Sequence, residues 1–369
     1  MSGGLSVVTL QAEQWRTICR AVFLAAGATE INAARVTEAL VDSNLVGHDS
    51  HGVIRVIQYL QAIEAGHVDP AAEPEVVQET AVTSLIDGKW TFGQVSAGLA
   101  MKKAIEKGKQ QGIALSALIR GYHIGRLGEY SEMAYNAGMI GMVIAGGFGG
   151  SVGSSGAGVA PYGGAKPAFG TNPISFGIPA GTEPPVLVDF ASSAVAAGKI
   201  ALARAKGTPL PSGWIVDKDG NPSTDAEDFY NGGALLTFGG HKGYGLAVAI
   251  ELLGQALTGG DDIDEAPRGG GTYTRSGSIF VAIDPGIFRP LQRFTAAVDA
   301  TVEKIKAVPP AAGFDEVLLP GEPEQRSRAK RLVEGISLPD NSWETLKQLA
   351  SGYGVDVASL VSQGRRLRV

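Results

Sequence analysis

His51, Arg55 and Tyr59 stand at i, i+4 and i+8 within Asp49-Ser50-His51-Gly52-Val53-Ile54-Arg55 and the residues after it. A helix through them would project all three from one face. An imidazole, a fixed guanidinium and a phenol so placed can hold a small carboxylic acid beside a reacting carbon. A surface helix with one His and one Arg is the ordinary alternative, and the stretch alone does not choose. His123 comes next, just past an apparent strand over residues 113–119. Parallel α/β sheets place ligand groups there, although a satisfied structural histidine fits equally well.

Two further stretches read as binding elements. Gly239-Gly240-His241-Lys242-Gly243-Tyr244-Gly245 is a glycine-dense turn entering an apolar helix. Free backbone N–H groups and a lysine make such a turn an anion site, against the alternative of a capped helix with a solvated Lys242. Asp189-Phe190-Ala191-Ser192-Ser193 closes a buried-looking strand. Asp189 there offers a carboxylate where a ribose or nicotinamide could lie, or else caps a helix.

Other motifs carry less. The Rossmann fingerprint G-x-G-x-x-G is absent; the nearest approach, Gly156-Ala157-Gly158-Val159-Ala160-Pro161, has Pro where the third Gly belongs. Gly149-Gly150-Ser151-Val152-Gly153 matches the G-x-S-x-G of an esterase elbow, but Ser154-Ser155-Gly156-Ala157-Gly158 after it is a poor helix start, so chance explains the match better. His48-x-x-His51 has no carboxylate cluster to complete a metal site, so no metal is expected.

Helical periodicity covers most of the first 66 residues, with Thr9 as the first cap and a single helix expected from residue 49 or 50 to about 65. Strands are expected over 83–87, 113–119, 140–144, 174–178, 186–190 and 277–283, and helices over 96–112, 127–136, 192–205, 243–258 and 291–306. Two more helices are expected around Arg328 and Leu346. The order helical, mixed, helical predicts an α/β protein in which residues 1–80 and 290–369 form one helical domain beside a sheet domain over 81–289.

Composition narrows the class. In 369 residues, 44% hydrophobic and 18% charged, there is enough apolar surface for two or three buried lobes. Fifty-two glycines are about twice ordinary usage and cluster in loops. A net charge of −6 without a basic stripe argues against nucleic acid. Cys19 is the only cysteine, the usage of a reducing compartment, so a cytoplasmic protein is expected. The N-terminus lacks the pattern of a signal peptide, and no apolar run approaches the ~20 residues of a membrane span.

Taken in order, these pieces resemble the malate/L-lactate dehydrogenase family of the second type, which includes sulfolactate and ureidoglycolate dehydrogenases, diketogulonate reductase and a cyclic imino acid reductase. The resemblance runs from Gly47-His48-Asp49-Ser50-His51-Gly52-Val53 through Phe169-Gly170-Thr171-Asn172-Pro173 and Val188-Asp189-Phe190-Ala191-Ser192-Ser193. Trp214 to Asp225, Phe238 to Leu246, and Leu319-Pro320-Gly321-Glu322 complete it. It implies a non-Rossmann nicotinamide-binding mixed sheet domain flanked by helices, a largely helical second domain, and a homodimer with its sites near the subunit interface. By that similarity Thr171, Asn172, Asp189, Phe190, Ala191, His241, Lys242, Gly243, Gly321 and Glu322 line NAD or NADP. Ser50, Arg55 and Tyr59 meet the substrate, and either His51 or His123 handles the proton. Two departures stand out: Gly121-Tyr122 before His123 where relatives carry Ser-Asn, and Ala145-Gly146-Gly147 where they carry Thr-Asn-Ser/Thr.

The expected activity is NAD(P)-dependent interconversion of a small 2-oxo acid and its 2-hydroxy acid, or reduction of a C=N analogue. Arg55 would clamp the carboxylate with a bidentate geometry that Lys cannot reproduce. Two other classes stay in view: a serine acyl hydrolase using Ser151 with His241 and an Asp, and a non-catalytic binding relative, suggested by the polar side chains missing at residues 145–147.

Overall fold

The computed structural model describes residues 7–147 and 158–366. The chain opens with strand β1 (Val7–Leu10) and helices α1 (Ala12–Ala25), α2 (Glu30–Leu45) and α3 (Arg55–Glu64). It continues through β2 (Glu75–Glu79), β3 (Thr83–Asp87), α4 (Gly93–Gln111), β4 (Ile113–Ile119), α5 (Gly128–Asn136), β5 (Ile140–Gly146), β6 (Pro173–Ile178) and β7 (Val186–Ala191). A smaller unit comes next: α6 (Ala197–Lys206), β8 (Ile215–Val216), β9 (Pro222–Ser223), α7 (Ala226–Tyr230), β10 (Ala234–Leu235) and α8 (His241–Gly254). The chain then runs through β11 (Gly277–Ile283), α9 (Leu291–Lys306), α10 (Glu322–Glu334), β12 (Ile336–Pro339), α11 (Asp340–Gly352) and α12 (Val357–Arg366).

Among the described residues the main sheet has seven strands in the order β2-β3-β4-β11-β5-β6-β7. Only β3 and β4, joined by the α4 crossover, run parallel; every other neighbouring pair is antiparallel. This is a mixed sheet with flanking helices. β11 sits in the middle and is buried along nearly its whole length, as its sequence GSIFVAI suggests. The small sheet β10-β8-β9 has its own core around Ile200, Ile215 and Leu235.

The two ends of the chain meet. β1 pairs antiparallel with β12, Val8 opposite Leu338. Trp15 donates its indole N–H to the Ile336 carbonyl at 3.1 Å and stacks edge-on against Trp343, centroids 5.8 Å apart. One hydrophobic core joins α1, α2 and α3 to β12 and α11.

Three expectations need correction. Thr9 does not cap the first helix; it lies in β1 and bonds Ser337, and Gln11 caps α1 instead. The helix expected from 192 starts at Ala197, because Ser192 turns back to bond the Thr171 carbonyl. The single helix expected from about 49 to 65 is two pieces, a 3-10 turn over Asp49–His51 and then α3. Among the described residues no helix is long and apolar enough to cross a membrane, and no group of three His, Cys, Asp or Glu could hold a metal ion.

Candidate active site

The break before α3 has a definite cause. Asn44, at the end of α2, accepts the Val53 N–H at 2.7 Å and donates to Asp49 Oδ1 at 2.6 Å. A Cβ on Gly52 would lie 2.1 Å from Asn44 Oδ1, so only glycine lets the turn close over that amide. From α10, Arg331 grips both Asp49 oxygens, with Nη2 to Oδ2 at 2.9 Å, and donates to the Asn44 carbonyl at 2.6 Å. Ser50 and His51 therefore sit on a pinned turn rather than on α3. They are bonded to each other, Ser50 Oγ to His51 Nδ1 at 3.0 Å. Arg55 reaches back from the first residue of α3 to the Ser50 carbonyl at 2.5 Å and also donates to Gln58.

The structure still brings the predicted trio together, through a fourth residue. His123 lies beyond the end of β4 and against the His51 ring, nearly parallel to it, with centroids 5.4 Å apart. The fully buried Tyr59 puts its hydroxyl 2.8 Å from His123 Nδ1 and accepts the Gln94 amide N–H at 2.6 Å. Tyr273 packs on both His123 and Tyr122, at 5.8 and 4.7 Å. Tyr122, which stands in one of the two departures from the family pattern, accepts from Gln58 at 3.3 Å.

Electrostatics set the protonation states. Burial, aided by the Arg55 cation and His48, pushes the His51 imidazole down to about 3. Burial, then Arg55 and His51, holds His123 well below the ordinary histidine value. Burial also pushes the Tyr59 phenol far up. At neutral pH the site therefore holds two neutral imidazoles, a neutral phenol and one guanidinium.

The remaining predicted residues gather around the end of β7. Asp189 accepts the Gly128 N–H at 2.7 Å; burial raises its carboxyl while nearby Arg126 opposes the shift. Arg126 is only 2% exposed and pairs with Glu132 at 2.9 Å and Asp42 at 3.2 Å. Phe190 and Phe238 meet edge to face at 5.5 Å, each more than a third exposed. Ala191 pairs with Pro173 across β6 and β7. The Thr171 carbonyl takes both the N–H and the hydroxyl of Ser192. Asn172 is buried and donates to the Ala247 carbonyl and to Glu251, both at 2.9 Å, while its Oδ1 has no partner among the described residues.

Two helix starts border β7, that of α8 at its Ala191 end and that of α10 at its Val186 end. Gly240 caps α8 without a side chain, and His241 and Lys242 beyond it are exposed while Gly243 is buried. A Cβ on Gly239 or Gly245 would meet open space. α10 begins at Gly321, packed on Leu187 of β7, whose N–H bonds the Pro320 carbonyl at 3.1 Å. The Glu322 carboxylate is engaged by Lys306 at 2.5 Å and by the Leu319 N–H at 3.1 Å. Further along α10, Glu324 pairs with His48 at 3.4 Å and Arg328 with Asp42 at 2.5 Å, ahead of Arg331.

Sequence reasoning missed Asn44, Gln94, Arg126 and Arg331. Only Arg126 left a signal, a lone arginine in an otherwise uncharged run from Gly121 to Gly128. Ser151 and its G-x-S-x-G match lie outside the described residues. At the second departure, Ala145 is fully buried in β5 and the Gly147 N–H donates to Glu251 at 3.0 Å.

Residues 10–347 match the model of a family described as malate/L-lactate dehydrogenase. An L-lactate dehydrogenase of Cupriavidus necator is 37% identical over 87% of this chain and 91% of its own length. A delta(1)-pyrroline-2-carboxylate/delta(1)-piperideine-2-carboxylate reductase of Pseudomonas putida is 32% identical over 93% of this chain and 97% of its own. The solved sulfolactate dehydrogenase of Methanocaldococcus jannaschii superposes with a TM-score of 0.86 at 34% identity, covering 95% of this chain and 99% of that one.

Proposed function

Because the chain belongs to the malate/L-lactate dehydrogenase family, and is thus an oxidoreductase of hydroxy acids, we propose that it interconverts a small 2-oxo acid and its 2-hydroxy acid with NAD or NADP. The observation that carries the substrate half is Arg55 beside the paired rings of His51 and His123. Arg55 would take the carboxylate, with Ser50 and Tyr59 shaping the space around it. His51 or His123 would exchange a proton with the C2 oxygen, and their neutral state leaves the Arg55 cation to fix the acid's orientation.

The cofactor half rests on the end of β7. The buried Asn172 Oδ1, without a partner among the described residues, is an acceptor suited to a carboxamide N–H, and the start of α8, which no side chain caps, suits a pyrophosphate together with Lys242. Asp189, Phe190, Ala191 and Thr171 would border the nucleotide, with His241, Gly243, Gly321 and Glu322 at its rim. When bound there, the nicotinamide supplies or accepts the hydride. Similarity to the Pseudomonas reductase favours a second reading, reduction of a cyclic imino acid at the same place.

We also infer a cytoplasmic homodimer, with residues 1–80 and 290–369 as the substrate and dimerisation domain and 81–289 as the cofactor domain. Support for pairing comes from Leu252, Leu253 and Leu257, exposed by 58%, 43% and 61% on and just beyond α8. The decisive experiment is a spectrophotometric panel of NADH and NADPH against oxaloacetate, pyruvate, other 2-oxo acids and a cyclic imino acid. Oxidation of one cofactor by at least one of these is expected; inertness of both towards all of them would defeat the proposal.

A further inference from the structure

The first turn of α4 lies directly beneath His123. A Cβ on Gly93 would stand 2.3 Å from the His123 carbonyl oxygen and 2.4 Å from that of Tyr122, so the helix backbone rests on the backbone that carries the imidazole. The next residue, Gln94, is fully buried and reaches the same imidazole from below through Tyr59.

Hydrogen counting along this chain gives it a direction. Gln94 Nε2 can only donate, so the Tyr59 oxygen accepts from it at 2.6 Å. A phenol has one hydrogen, and the hydroxyl's other partner among the described residues is His123 Nδ1 at 2.8 Å, so that buried hydrogen is satisfied only if Nδ1 accepts it. An accepting Nδ1 carries no hydrogen. Reversing the Gln94 amide would invert the order, but it would leave both N–H donors without a partner among the described residues, where the present orientation leaves one of them and the carbonyl oxygen Oε1. Orphaned buried N–H groups are the rarer of the two.

We propose that Gln94 is a positioning residue that, through Tyr59, fixes the His123 ring in the tautomer with its hydrogen on Nε2, so that His123 offers the substrate's C2 oxygen an N–H rather than a lone pair. The oxygen partner rests on the dehydrogenase reading; the tautomer does not. Burial and the Arg55 cation keep the ring neutral, so its tautomer has to be chosen by a neighbour. Gln94 touches neither acid nor cofactor in this scheme and acts only through Tyr59.

Nuclear magnetic resonance of the full-length protein with labelled histidine tests this directly. The His123 signals, assigned by their loss in His123→Asn, should report hydrogen on Nε2 at neutral pH. Gln94→Glu keeps the shape but replaces the donor by an acceptor, so Tyr59 should turn towards the carboxylate and the ring should move its hydrogen to Nδ1. With it kcat should fall about 100-fold, the low end of what a misplaced proton group loses, while KM for the acid changes little. A wild-type ring with hydrogen on Nδ1, or a Gln94→Glu ring still carrying it on Nε2, would overturn the proposal. If Gln94→Glu does not fold, Tyr59→Phe cuts the same link, and there His123 should no longer hold to Nε2–H alone; an unchanged tautomer would count against the proposal. Should no 2-oxo acid be reduced at all, the dehydrogenase reading fails while the resonance result still decides the tautomer.

Discussion

In the proposed reading, Arg55 is the residue on which substrate recognition turns. Its Nε and one Nη hold the Ser50 carbonyl and Gln58, which orients the guanidinium before any acid arrives. Arg55→Ala is expected to lower kcat/KM by about 100-fold, mostly through KM, since a lost charge-assisted pair is worth about 1.5–3 kcal/mol. Steady-state kinetics that left kcat/KM at the wild-type value would remove Arg55 from that role. The two histidines predict a pH effect of definite sign. Each is depressed in the folded state, so below about pH 6.5 the unfolded chain binds more protons than the folded one. Stability is therefore full above that pH and falls on acidification towards about 3 for His51, by up to about 1.4 kcal/mol per pH unit for each histidine. Urea midpoints at pH 7, 6 and 5 should decline, and His51→Asn should flatten part of the decline. At this scale much is legible in the sequence: His51, Arg55, Tyr59 and His123 do converge. They do not converge by helical spacing, because Gly52 breaks the helix that would align His51 with Arg55. What aligns them is Asn44 and Arg331, and a hydrogen bond to a residue 287 positions away leaves no trace in local periodicity.

Elements are legible where their own pattern is strong and obscure where a distant partner decides. α8 and β11, dense in apolar residues, stand near their expected positions. β1 reads as a helix start because its pairing strand lies more than 320 residues on. Among elements, α4 carries the sharpest prediction. Gly93→Ala would drive a methyl into the carbonyl oxygens of Tyr122 and His123, displacing helix or loop. Overpacking of this kind costs about 1–3 kcal/mol. The denaturation midpoint should drop accordingly and kcat with it; a variant with both unchanged would show that the contact relaxes freely.

For the whole molecule, the order helical, mixed, helical foretells that the ends meet, as β1 and β12 do. The strand order is not legible. β11 threads between β4 and β5 from more than 130 residues away, and nothing in a strand's own sequence names its neighbours. The subunit contact is the prediction at this scale. Leu253→Lys with Leu257→Lys should convert a dimer to a monomer in sedimentation velocity without lowering the thermal midpoint of the isolated chain. A pair of variants still sedimenting as a dimer would move the contact elsewhere.

α10 gives this architecture a mechanical property. Thirteen residues of helix span roughly 20 Å. One end abuts β7, the strand that carries Asp189; the far turn clasps Asp49, next door to Ser50 and His51. The helix is thus a strut clamped at two stations, with His48 and Asp42 as intermediate rivets. The gap between the start of β7 and the His51 turn is set by its length, and neither station can shift without dragging the strut or breaking its grip.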